Sequence, residues 1–172
     1  MAMDDDAVDM ASPAWALLAQ ALEPSRPPPR LRKALLDAVG GSARYLPFVA
    51  ATNRIFDLDA AAARALLMRA ADRSQWRVGK PPFLAHMDFA AGPACGTLRA
   101  GFVVMEGDTV IPRHRHTDRE VTLVLEGAIR SDGRTFRPGE VLEMAVGSEH
   151  VFEVEREGAV FAVLRGRLEF PG

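Results

Sequence analysis

A single cysteine, Cys95, stands among 172 residues, so no disulfide forms within the chain and no cysteine-rich zinc module folds from it. Long apolar runs are missing too: none approaches the roughly 20 residues of a membrane-spanning helix. The opening MAMDDDAVDM is acidic and has neither the basic start nor the apolar core of a signal peptide. A soluble, cytoplasmic protein without a membrane partner is the expectation. There is no excess of positive charge either. Lys and Arg number 21 against 23 Asp and Glu, a net charge of −2, which leaves no electrostatic case for nucleic acid. Histidine is scarce, at four, and two of the four stand one residue apart. What the chain does have is 48% hydrophobic residues, enough for a real core in one domain, or one domain with a helical appendage.

The texture changes near residue 76. Before it the chain is rich in Ala and Leu. Ser12-Pro13 offers a hydroxyl cap and a proline in the first turn, and the helix it starts runs to Leu22 before EPSRPPP stops it. Pro27 to Pro29 make a stiff connector. Leu31, Leu35, Leu36 and Val39 resume helical spacing up to Gly40-Gly41, and Asp59 is placed to cap a third helix, AAAARALLMRAAD. None of these segments carries a nucleophile or a histidine, so packing or partner docking is their expected role. Residues 1–75 therefore read as a helical segment with a proline-rich connector, and 76–172 as β structure.

The second part is a series of short β-rich runs: LRAGFVVMEGDTVIPRHRH, EVTLVLEGAI, EVLEMAV, HVFEVE and AVFAVLRGRLEF. Asp132-Gly133 is a two-residue hairpin signal, and Pro138-Gly139 suits another tight turn. Strands at this spacing indicate a sandwich or small barrel. On EVTLVLEG, Val121, Leu123 and Leu125 oppose Glu120, Thr122 and Val124, so both faces need cover, from the helices or from a second copy in a homodimer.

In PRHRHTDRE, residues 112–120, strand alternation points His114 and His116 the same way, and a short turn at Thr117-Asp118-Arg119 brings Glu120 to join them. Two imidazoles and a carboxylate suit a borderline divalent metal. Downstream, His150 shares a face with Phe152 and Val154 and points to an apolar interior, where an imidazole needs a partner. A solvated face with Arg113, Arg115 and Arg119, and a Glu120–arginine pair, are the competing readings. Thr122, Val124, Phe152 and Val154 are the expected lining around the ligands, with Thr122 the one obvious hydroxyl. His86, in FLAHMDF, is expected to make an ordinary hydrogen bond, and Cys95 lies in a loop with no basic neighbour to activate it.

Gly107, His114, His116, Glu120 and Gly127, followed by Gly139, Gly147 and His150, resemble the paired motifs of the cupin superfamily. One extra residue separates Gly107 from His114, and Ala145 and Val154 stand where the family usually has proline and asparagine. The resemblance covers roughly the last hundred residues. It implies an antiparallel double-stranded β-helix (the cupin jelly roll) and a metal held by His114, His116, Glu120 and His150. Zinc is the first choice, with iron, manganese or nickel as alternatives, at one divalent ion per chain.

Residues 114–150, from HRHTDREVTLVLEG to PGEVLEMAVGSEH, are more narrowly similar to the C-terminal cupin of ChrR-type anti-sigma factors, and ALEPSRPPPRLRKALLDAV is similar to the connector that precedes it there. In that family an N-terminal zinc domain built on His-x-x-x-Cys-x-x-Cys holds a sigma factor inactive, and the cupin takes part in the response to oxidative stress. No histidine here precedes His86 and no cysteine precedes Cys95, so the likeness carries over to the cupin and not to that zinc domain. Two functions follow from the resemblance. One is a non-enzymatic metal-binding sensor or ligand-binding domain, with a sigma factor or another regulatory protein as partner. The other is a metal-dependent dioxygenase acting on a small organic molecule.

Overall fold

Asp59 opens the longer of the two α-helices among the described residues as its side chain allows: a carboxylate oxygen accepts the Ala62 N–H at 2.7 Å, and the helix, α2, runs Ala60–Ala71. Ala63, Leu66, Leu67 and Ala70 form its buried stripe, at the spacing of one helical face. The preceding helix, α1, spans Val49–Phe56 and stops at Asp57, which takes a left-handed conformation. The computed structural model describes residues 41, 43–79 and 83–170, all within the unit Asp37–Gly172. The helices expected to begin at Ser12-Pro13 and to continue through Leu31 to Val39, with the proline connector, lie outside the described residues.

Nine strands follow among the described residues. They are β1 (Arg77–Val78), β2 (Leu84–Phe89), β3 (Arg99–Met105), β4 (Val110–His116), β5 (Glu120–Ser131), β6 (Arg134–Phe136), β7 (Val141–Met144), β8 (Glu149–Arg165) and β9 (Leu168–Glu169). The run expected as one strand from Leu98 to His116 divides into β3 and β4, with Asp108 at φ 60° in the turn between them. HVFEVE and AVFAVLRGRLEF, expected as separate strands, are largely one: β8 is continuous for 17 residues. It bends instead of turning, with Gly158 at φ 78°. Its first part pairs with β4, its second part with β3, and both parts pair with β5. All pairings are antiparallel, and β8 thereby joins the layers into a curled sheet.

Both sequence-predicted turns form. Asp132 and Gly133 have φ of 45° and 86° between β5 and β6. At Arg137-Pro138-Gly139-Glu140 the Glu140 N–H donates to the Arg137 carbonyl at 2.9 Å, with Gly139 at φ 91°.

β5 and β8 bury both faces. On one, Leu123, Leu125, Ala162 and Leu164 pack with Tyr45, Phe56 and Leu67 of the helical part. On the other, Val124, Ile129, Phe152, Val154, Phe161 and Val163 pack with Phe136 and Leu142. The helices thus supply the cover that Leu123 and Leu125 require, and each fully buried leucine stabilises the layer by about 1.5–3 kcal/mol. This is the cupin double-stranded β-helix with a helical segment before it.

Candidate metal centre

The β4–β8 register sets His114 directly opposite His150, and alternation along β4 turns His116 to the same side. All three rings are buried, at 2%, 1% and 0% exposure for His114, His116 and His150. One nitrogen from each lies within 4.8 Å of the others. The end of β4 is fixed from both sides: the His116 N–H donates to the Ser148 carbonyl at 3.0 Å, and the Gly147 N–H donates to the His116 carbonyl at 2.8 Å.

Ring orientations follow from the hydrogen bonds. His114 Nδ1–H donates to the Pro112 carbonyl at 2.9 Å; a carbonyl only accepts, so in the neutral ring Nε2 carries the lone pair. His150 Nδ1 lies 2.7 Å from Ser131 Oγ, and its Nε2 lies 3.0 Å from His114 Nε2. His116 Nε2 is buried without a hydrogen-bond partner. Glu120, also buried, places Oε2 3.6 Å from His116 Nδ1, and its Oε1 accepts from the Thr122 hydroxyl at 3.2 Å. The compact nitrogen set comprises the three histidines, and Glu120 stands beside it.

Burial dominates the electrostatics. It pushes the pKa of His116 and His150 down to about 4, with the neighbouring histidines adding to the effect. It raises that of Glu120 to about 6 against the opposing influence of Arg165 and the Thr122 hydroxyl. Three buried imidazoles with converging nitrogens, one of them orphaned, and an adjacent carboxyl form a donor set that fits a divalent cation. An ion there removes the cost of the unpaired nitrogen.

Beside the histidines lies a cavity of about 290 Å³. His114, Glu120, Phe152, Phe161 and Val163 line it, Arg165 also faces it, and Phe83, Val110 and Phe170 stand at it as exposed apolar side chains. The Phe170 ring centroid is 5.7 Å from that of His114. Of the lining expected from sequence, Phe152 is present here. Thr122 instead hydrogen-bonds Glu120, while Val124 and Val154 pack into the inner core, where the β5–β8 register sets Val124 opposite Phe161 and Val154 opposite Ile129. Sequence reading passed over Ser131 and Arg165. Nothing near either in the chain marks it, and only strand pairing brings them to the site. A larger cavity, about 630 Å³, lies at the bend of β5 and β8 beside Arg73, Glu126 and Arg156, and contains none of the three histidines.

His86 sits on β2 with Nε2 3.8 Å from Asp88 Oδ2, outside the cluster. The Cys95 thiol is buried, 3.6 Å from the Ile55 carbonyl, and burial with the nearby Asp57 charge raises its pKa. No helix among the described residues is long and apolar enough to cross a membrane.

No protein-family model and no curated protein matches the sequence. Solved structures do. The complex of Rhodobacter sphaeroides SigE with the anti-sigma ChrR matches at 25% identity and TM-score 0.46, over 54% of this chain and 48% of that chain. An RmlC-like cupin protein from Ralstonia eutropha matches at 19% identity and TM-score 0.47, over 54% of this chain and 64% of that one. An acetylacetone dioxygenase from Acinetobacter johnsonii matches at 12% identity and TM-score 0.50, over 59% of this chain and 74% of that one. This chain thus spans about half the length of the first and under two thirds of the second. The likeness is one of cupin fold.

Proposed function

We propose that the chain is a metal-binding cupin in which His114, His116 and His150, completed by Glu120, hold one divalent ion, zinc in the first instance. The observation that carries this is the meeting of three buried imidazoles, donor nitrogens within 4.8 Å of one another, with one nitrogen lacking any other partner. A bound divalent ion would supply positive charge at the three imidazoles, with open positions only on an ion that takes more than these four protein ligands. The protein's own contribution is to keep His116 and His150 neutral by burial, to fix the His114 ring through Pro112 and the His150 ring through Ser131, and to wall the site with apolar side chains.

The role proposed is a non-enzymatic sensor or ligand-binding domain of the kind found in ChrR-type regulators, working in the cytoplasm as a homodimer and answering to a regulatory protein partner such as a sigma factor. Elemental analysis of protein never exposed to chelators tests the metal, with about one ion per chain expected; metal-free protein overturns it. Gel filtration with light scattering tests the dimer.

One observation favours a second reading. The cavity reaches His114 and Glu120 directly, as an enzyme's substrate pocket would. A metal-dependent oxygenase acting on a small organic molecule is therefore the alternative. Three histidines and one glutamate leave positions free on an octahedral ion, whereas tetrahedral zinc would be closed by them. Oxygen uptake by iron- or manganese-loaded protein across thiols, catechols and diketones, compared with Glu120→Gln, decides between them. Sustained stoichiometric product formation that requires the metal selects the oxygenase.

A further inference from the structure

Arg165 ends β8 with its side chain on the cavity that contains His114 and Glu120. Its guanidinium has one hydrogen bond, from Nη1 to the Gly166 carbonyl at 3.3 Å, and no carboxylate within ion-pair distance among the described residues. The guanidinium's planar fork of donors thus keeps N–H groups beyond that bond, on a cavity whose remaining walls are mostly apolar. Arg134, Arg113 and Arg130, by contrast, each have a carboxylate partner at the surface.

We infer that this cavity takes a small monocarboxylate with an apolar body, its carboxylate on the Arg165 guanidinium and its chain along Phe152, Phe161 and Val163. The inference rests on the reading of the adjacent histidines as a metal centre, and names the ligand class of that site.

Three features select the class. A volume of about 290 Å³ lies at the lower end of the range for small-molecule pockets and admits on the order of ten non-hydrogen atoms. A ligand that fills it strips water from Arg165, and a buried guanidinium left without an acceptor is costly, so the ligand has to bring one. A phosphate monoester brings about two negative charges at neutral pH, yet among the described residues Arg165 is the one arginine or lysine on the cavity and Glu120 lies beside it. The two oxygens of a single carboxylate match the planar fork. The exposed apolar side chains of Phe83, Val110 and Phe170 at the same cavity suit entry of an apolar chain and disfavour a wholly polar ligand.

The test is calorimetric titration of the metal-loaded chain, its metal content fixed by elemental analysis, with hexanoate and with its neutral counterpart hexanamide. Hexanoate should bind at least about tenfold more tightly. Arg165→Ala should remove that preference, weakening hexanoate by about tenfold or more while leaving hexanamide binding and metal content unchanged. Arg165→Lys should recover part of the loss, since it keeps the charge and not the fork. Equal affinity of the two probes for the wild-type chain overturns the inference, whether or not Arg165→Ala folds. So does hexanoate binding that Arg165→Ala leaves intact, which would seat the carboxylate on the metal. Metal-free protein that still prefers hexanoate through Arg165 supports the anion site while removing the metal reading; loaded protein with no preference does the reverse.

Discussion

Nε2 of His114 and Nε2 of His150 face each other at 3.0 Å, on rings that are both buried. Because His114 donates its Nδ1–H to Pro112, two lone pairs oppose each other there unless His150 supplies a proton or a cation lies between them. His150→Ala is therefore expected to reduce bound metal from about one ion per chain to less than about a tenth of that, read by elemental analysis. Its melting temperature should fall to that of metal-free wild-type protein or below. Binding to the folded site alone adds about 2.7 kcal/mol at a hundredfold excess over Kd, so an unchanged melting curve with the metal gone would show that the site is not structural.

Ser131 holds the other nitrogen of His150, at 2.7 Å. Removing such an outer partner typically weakens metal binding 10- to 100-fold. Ser131→Ala should do so in a competition titration against a chromophoric chelator, with the three histidines still in place. Full affinity in that variant would show that the hydroxyl does not orient the ring.

Acid should destabilise the metal-free protein. His116 and His150 have folded pKa values of about 4 against an ordinary 6.5, so between those pH values the unfolded chain binds more protons and stability rises with pH. Glu120 has the opposite sign: raised to about 6 from 4.5, it favours the folded state while protonated, and that contribution is lost as pH climbs through its window. Two imidazoles outweigh one carboxyl. Urea midpoints of chelator-treated protein should increase from about pH 4.5 to 6.5; a fall across that range would contradict the burial of neutral histidines.

Leu123 is fully buried on the face of β5 turned to the helices, away from the histidines. Leu123→Ala should cost about 2–5 kcal/mol of stability and leave metal stoichiometry unchanged. Loss of metal in the folded variant would mean that the two faces of β5 are not separable.

The meeting of His114, His116 and Glu120 was legible because they sit close in the chain, within seven residues, on a strand and the start of the next. His150 was legible from its alternation with Phe152 and Val154. Asp59, Asp132-Gly133 and Pro138-Gly139 act through their own backbone neighbourhood, so they too could be read locally. Ser131 and Arg165 could not. Ser131 reaches His150 through the β5–β8 register, across 19 positions, and Arg165 reaches Glu120's cavity from the far end of β8. The placing of Val124 and Val154 was missed for a related reason. A strand's inward face is shared between core and cavity, and alternation cannot say where one ends and the other begins.

β8 remains one unbroken strand through the Gly158 bend, with His150 near its start and Leu164 near its end. The same backbone ladder therefore anchors the histidine pair and the floor beneath the helices. Native-state hydrogen exchange should register this as a single slow block, in which amides of β8 and β5 open together. Ligand or metal at one end would then protect amides at the other, with no hinge or second domain required.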